Sequence, residues 1–408
     1  KAIQQYTFKS AFKAIFIDIR TLVFFIESLW LKTQHAAWKK WLIGVVLLVL
    51  GTVIYLKSNH HKYHAAFQLF SGYEKYQQEV EKYKAFFSDS EKSSYLKTVQ
   101  KNKNDDKETL IITIGESTTK HHLGIYGYHR NTTPNLAKIN DELVVFNDVI
   151  SPHTHTIPAL EKVLTFGTTN NPSDKELGSL VQLVKAAGYK TYWISNQIPV
   201  GINETMVTML SKAADYSYFT NLGGEKELFS LDERVLPIIK KVLTDNHNKK
   251  VIFVHLLGTH TQYKNRYPKS FNQFKDAPST PFGTQQAFEA INQYDNAVLY
   301  NDFVISEIIS LLKSNATPNE KQQMIYFSDH GEDVYQTVDF NGHSESIGSY
   351  PMFEIPFIFW SNNKNELEKY KHFADRKYMT DDFIYSVADL LNITFEGMKS
   401  ENSIFHPT

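Results

Sequence analysis

The chain has 408 residues, with 43 Lys and Arg against 44 Asp and Glu, so no charge excess supplies the basic face that nucleic-acid binding needs. It contains no cysteine. That excludes disulfides, thiolate metal ligands and a cysteine nucleophile, and leaves carboxylate, hydroxyl and imidazole as metal donors.

The length suits one large α/β core with a modest extra segment, and a chain that begins at Lys1 is expected to continue a longer polypeptide upstream. Residues 11–31 are rich in Phe, Ile and Leu but carry Asp18, Arg20 and Glu27. Such charges are costly in hydrocarbon, so this stretch reads as the end of an earlier span or an interfacial helix. From Trp41 to Leu56 there are 16 residues without a charge, preceded by Trp38, Lys39 and Lys40. The pattern predicts one membrane span over residues 41–56, anchored by Trp and Lys on the cytoplasmic side, with a buried core helix as the alternative for so short a run. His60, His61 and His64 then fall at the interface. Residues 1–71 are thus expected to form a membrane and interfacial helical segment. Residues 72–107 read as an amphipathic helix, with Tyr73, Tyr76, Tyr83, Phe86 and Phe87 on one stripe, running into a solvated linker at 101–107.

Residues 108–408 read as the catalytic domain. Short apolar runs at 109–114, 190–195, 251–256, 323–328 and 356–360 predict buried strands, and residues 133–143, 176–187, 231–243 and 286–314 have helical spacing. The alternation predicts an α/β fold, an α/β/α sandwich with a largely parallel central sheet.

In such sheets ligands gather beyond the carboxyl ends of the strands. Glu116, Ser117 and Thr118 follow the first strand; Thr259 and His260 follow 251–256; Asp329, His330 and Glu332 follow 323–328. After 145–151 come His153, Thr154, His155 and Thr156, where a helical stretch opens. Each group alone is ordinary for a turn or cap. Together, Glu116, Asp329 and His330 make a donor set suited to zinc with one position open. Asn196, after 190–195, stands where a substrate contact is expected, with a turn or cap role as the alternative. His255 is expected to be a core histidine with its hydrogen bonds satisfied. Glu332 reads either as an orienter of the ligands or as a helix-start acid.

Ile-Gly-Glu-Ser-Thr at 114–118, Tyr-Gly-Tyr-His-Arg-Asn-Thr-Thr-Pro-Asn-Leu at 126–136 and Ser-Asp-His-Gly-Glu-Asp at 328–333 together resemble the phosphoethanolamine transferases of the alkaline phosphatase and sulfatase superfamily. The resemblance covers residues 109–393 and looks strongest to members that modify the lipopolysaccharide core. It implies an alkaline phosphatase-like fold and zinc held by Glu116, Thr156, Asp329 and His330. It also implies a threonine nucleophile at Thr156, with Thr154 as the alternative register. His260 and His343 match the family's further histidines, which bind the transferred phosphate or a second zinc. The implied reaction moves phosphoethanolamine from phosphatidylethanolamine to lipopolysaccharide, on a core sugar or lipid A, through a phosphothreonine. The implied place is the bacterial inner membrane, with the catalytic domain in the periplasm. Members acting on lipid A carry cysteines flanking the nucleophile, where this chain has Pro152 and other non-thiol residues. No formylglycine motif stands near Thr156, which argues against sulfate-ester cleavage. The alternatives are a glycerol-phosphate transferase or phosphodiesterase of the same superfamily, and a non-catalytic lipopolysaccharide-binding module.

Overall fold

The computed structural model describes residues 37–58, 92–101, 107–199, 205–223 and 229–407, with a few single positions before 92. Most of the segment at 11–31, the histidines at 60, 61 and 64 and most of the aromatic stripe at 73–87 lie outside the described residues. Two compact units divide the chain, Lys1–Lys75 and Tyr76–Thr408.

In the first unit, helix α1 (Ala37–Lys57) exposes Leu42, Leu48 and Ile54 among other apolar side chains. Among the described residues no helix is long and apolar enough to cross a membrane, so the span expected at 41–56 is not seen there. The uncharged run rises about 24 Å at helical pitch, short of a hydrocarbon core of about 30 Å.

The second unit is built on a seven-stranded sheet. Its strands are β1 (Glu108–Gly115), β2 (Leu143–Phe146), β3 (Lys190–Ser195), β4 (Tyr216–Phe219), β5 (Lys249–His255), β6 (Lys321–Ser328) and β7 (Phe357–Ser361), in the spatial order β2-β7-β6-β1-β5-β3-β4. The pairs β6/β1, β1/β5, β5/β3 and β3/β4 are parallel, whereas β7 runs antiparallel to both β6 and β2. The sheet is therefore mixed by one reversed strand, where the sequence predicts a largely parallel one.

Both faces of the central strands are apolar, because each face carries its own helical layer. Leu110, Ile112 and Ile114 of β1, with Val251 and Phe253 of β5, face one core together with residues of α2 (Thr156–Val163), α3 (Leu180–Ala186) and α8 (Phe383–Leu390). The intervening Ile111, Ile252 and Val254 face a second core with α5 (Leu236–Leu243) and α6 (Gln285–Ser314). Helices α4 (Thr205–Lys212) and α7 (Lys364–Lys371) also belong to this unit. This period-two split into two cores makes the α/β/α sandwich. Trp193, Phe253, Phe327 and Phe357 are fully buried, each contributing on the order of 2 kcal/mol of hydrophobic stabilisation.

Two predicted helices are shorter than their periodicity. Residues 133–143 divide into a helix at Pro134–Lys138, a 3-10 turn at Asn140–Glu142 and the start of β2, since Val144 and Val145 pair with β7. Residues 176–187 begin their helix only at Leu180, where Ser179 and Gln182 form a capping box behind Gly178 at φ +138.

Candidate active site

Strands β6, β1 and β5 are adjacent and parallel, so the turns leaving their carboxyl ends meet on one edge. The turn after β1 is tight: Ser117 takes φ +56, a left-handed conformation uncommon for a residue with a side chain. It is held by Tyr294 of α6, whose hydroxyl donates to the Ser117 carbonyl at 2.8 Å and accepts from the Thr119 N–H at 3.0 Å. Against it lies Gly258 (φ +52), where a Cβ would stand 2.7 Å from the Glu116 backbone N and O. Only glycine lets the β5 loop approach so closely.

The turn after β6 delivers Asp329 and His330, both fully buried. Asp329 Oδ1 accepts from the backbone N–H of Ser117 (3.0 Å) and of His330 (2.7 Å), which aims its second oxygen, Oδ2, at the interior. His330 Nδ1–H donates to the Gly331 carbonyl at 2.9 Å, which turns Nε2 toward the carboxylates as the nitrogen a metal would take in place of a proton. That Nε2 stands 3.2 Å from Glu116 Oε1 and 3.5 Å from Asp329 Oδ2.

Thr156 opens α2. Its neighbour His155 is extended (φ −130, ψ 143), and Pro158 fits the first turn, where its missing N–H loses no helical bond. The Thr156 hydroxyl lies 3.2 Å and 3.1 Å from the two oxygens of Glu116 and 3.5 Å from His330 Nε2. The structure thus brings Glu116, Thr156, Asp329 and His330 together. Thr154, the alternative register, instead lies 3.0 Å from His155 Nδ1.

Two buried carboxylates and an imidazole in one pocket form an electrostatically loaded group. Burial and then the Glu116 charge push Asp329 up to about 8. Burial alone would raise Glu116, but the hydrogen bond and charge of His330 hold it well below the usual carboxylate range. Burial would lower His330, yet the charges of Asp329 and Glu116 carry it up to about 10. Asp329 Oδ2 is buried and has no hydrogen-bond partner. A divalent cation among these oxygens and Nε2 satisfies that atom and relieves the repulsion, so the residues fit a metal with hard and borderline donors.

The other predicted residues fall into place around this group. His343 Nδ1 lies 2.7 Å from Glu332 Oε2, and Tyr263 donates to Glu332 Oε1 at 2.6 Å. Glu332 is therefore an orienter of His343 and starts no helix. The His343 ring centroid is 4.2 Å from that of His330 and 5.0 Å from that of His155. His260, in the β5 loop, is near enough for its charge to lower the Glu116 carboxyl. Asn196 is not gathered with the others. It is buried, its amide donates to Asp232 at 2.8 Å, and its oxygen accepts from Thr220 and Ser230, so it braces the loops rather than presenting itself to a ligand. His255 also departs from expectation, since both ring nitrogens are buried without a partner and burial pushes it down to about 4.

Two contributors, Gln197 and Glu345, were not singled out from the sequence, and Ser117 was read only as a strand-end neighbour of Glu116. Ser117 Oγ donates to Glu116 Oε1 at 2.8 Å, Gln197 Nε2 reaches Leu256 O at 2.9 Å and Glu116 Oε2 at 3.5 Å, and Glu345 accepts from the Thr154 N–H at 3.0 Å. Gln197 stands beside Asn196 at a strand end and was accessible by the strand-end rule; Glu345 carries no comparable signal.

Carboxylate and imidazole donors at the carboxyl edge of a sandwiched sheet, with a hydroxyl at the start of a helix, define an alkaline phosphatase-like fold. The comparisons narrow the class. The sulfatase family model matches residues 108–393. The chain is 35% identical over 355 residues to the phosphoethanolamine transferase EptC of Escherichia coli K12, covering 84% of this chain and 61% of that protein. It is 36% identical over 355 residues to the phosphoethanolamine transferase CptA of Salmonella typhimurium, with the same coverage of each. Among solved structures, the zinc complex of the C-terminal periplasmic domain of E. coli EptC superposes with a TM-score of 0.71 at 35% identity, over 76% of this chain and 89% of that one. This chain belongs to the sulfatase family, and the relatives it resembles include the phosphoethanolamine transferases EptC and CptA. It spans about three fifths of the length of the curated relatives it matches.

Proposed function

We propose that this protein transfers phosphoethanolamine from phosphatidylethanolamine to lipopolysaccharide through a phosphothreonine at Thr156. The observation that carries the proposal is the Thr156 hydroxyl at the first turn of α2, within hydrogen-bond reach of Glu116 and beside His330 and the unpartnered Asp329 oxygen. Glu116, Thr156, Asp329 and His330 would hold zinc, which the related EptC domain binds in its crystal. When bound, zinc supplies Lewis-acid stabilisation of an alkoxide, without which a threonine is a poor nucleophile at neutral pH.

In the first half-reaction Thr156 Oγ forms a bond to the donor phosphorus, and the bond from phosphorus to the diacylglycerol oxygen breaks. That oxygen leaves with a proton. The free N–H groups of the first turn of α2 favour the phosphoryl charge. In the second half-reaction an acceptor oxygen, on a core sugar or lipid A, attacks the same phosphorus and Thr156 is released. His343, held at Nδ1 by Glu332, and His260 polarise the phosphoryl group or exchange the proton. The exposed apolar surface of α1 supports a position at lipid, and the periplasmic origin of the related domain supports an inner-membrane protein facing that compartment.

The test is to incubate zinc-loaded protein with headgroup-labelled phosphatidylethanolamine and to analyse peptides by mass. One phosphoethanolamine on Thr156, absent from Thr156→Ala, is expected. Label on Thr154, or label taken only from phosphatidylglycerol, would overturn the assignment, the latter in favour of glycerol-phosphate transfer.

A further inference from the structure

A donor that carries phosphate and amine on one two-carbon arm poses two recognition problems, and the metal-type cluster answers only the first. The ammonium needs an anion that the cluster has not already committed. Glu116 and Asp329 face His330 at the buried floor. Both oxygens of Glu332 are occupied by Tyr263 and His343. Glu354 is paired with Lys120 and His121, and Glu161 with Lys175.

Glu345 differs from all of these. Its Oε1 accepts from the Thr154 N–H at 3.0 Å and lies 3.1 Å from His153 Nδ1 and 4.0 Å from His155 Nδ1. The carboxylate is thereby pinned to the backbone two residues before Thr156, and two residues span at most roughly 7 Å of chain. Oε2 has no partner among the described residues, and the side chain is 47% exposed. From Glu345 a row of rings leads inward: His155, then His343 at 5.0 Å between centroids, then His330 at a further 4.2 Å. A phosphoryl group at Thr156 would therefore have a fixed, solvent-reachable negative charge on its outer side, where the amine arm can extend. A carboxylate held in place in advance loses little freedom when it binds.

We infer that Glu345 recognises the ammonium of the donor headgroup and so sets the preference for amine-bearing donors; the inference rests on the phosphoethanolamine reading above. The experiment compares 2-aminoethyl 4-nitrophenyl phosphate with ethyl 4-nitrophenyl phosphate as donors to the zinc-loaded full chain, in the parent and in Glu345→Gln. Glutamine still accepts the Thr154 N–H, so the backbone before Thr156 keeps its anchor. The parent should favour the amine donor in kcat/KM. Glu345→Gln should reduce that preference about fivefold, the scale of one accessible ion pair, mainly through KM, with the ethyl ester unchanged. If the parent favours the amine donor and Glu345→Gln keeps that preference, Glu345 is not the recognition group. A parallel loss on both donors would make Glu345 a support for the threonine segment and equally overturn the inference. A parent with no preference for the amine would remove the phosphoethanolamine reading itself, and this inference with it.

Discussion

Two carboxylate and histidine groups lie side by side at the carboxyl edge of the sheet, and they are built on opposite principles. In one, Glu116, Asp329 and His330 are fully buried, and Asp329 Oδ2 has no partner. In the other, Glu332 is equally buried, yet its two oxygens are taken by Tyr263 and His343. Either set has the spacing to hold a metal. What separates them is completeness: a group with its hydrogen bonds closed orients a neighbour, and a group left with an open buried oxygen calls for a cation.

Zinc affinity gives the widest separation between the two. Asp329→Asn should lower it by roughly 100-fold or more, since a ligand charge is lost, whereas Glu332→Gln should lower it by less than about 10-fold. Competition with a chromogenic chelator measures both, and equal losses would break the distinction.

Asp302 of α6 supplies a control carboxylate, buried and satisfied by hydrogen bonds outside the metal-type donor set. It accepts from the N–H groups of Asn135 and Leu136, and burial pushes it up to about 6. The folded state therefore holds a proton that the unfolded chain releases near pH 4. Stability should fall as pH rises from about 4 to about 6, by roughly 2 to 3 kcal/mol, and then level. Asp302→Asn should flatten that part of the profile in denaturant titrations.

The smallest effect sharpens the contrast by its sign. In metal-free protein above about pH 8, where Asp329 is ionised, Asp329→Asn should stabilise the fold by about 1 kcal/mol, because it removes a charge that burial and Glu116 disfavour. Glu332→Gln should destabilise by about 1 kcal/mol with or without metal, since the bonds from Tyr263 and His343 weaken. Thermal melts with and without chelator separate the two, and matching signs would deny the difference.

Much of this was legible before coordinates. The five apolar runs became β1, β3, β5, β6 and β7 nearly as read, because strands buried on both faces leave continuous hydrophobic signals. Strand β4, with Tyr216 and Ser217 exposed at the sheet edge, carries no such run. The reversal of β7 was invisible, since direction leaves no mark on composition. Glu116, Asp329 and His330 were readable from their places after strands, and Thr156 from its family register. The roles of Asn196 and His255 were not. Whether a buried amide or imidazole finds partners depends on loops such as the one bearing Asp232, distant in sequence. Glu345 was illegible for a related reason, because its position depends on how residues 343–345 fold back over the start of α2.

The antiparallel course of β7 has a consequence for how such a protein can diverge. Because β6 leaves the sheet and β7 re-enters it on the same edge, with Phe357 beside Phe327, the whole excursion of residues 329–356 starts and finishes there. Insertions or deletions within it can reshape the rim over the ligand cluster while the strand registers beneath stay undisturbed. Variation among relatives in what they modify has, in this excursion, a place to accumulate at low structural cost.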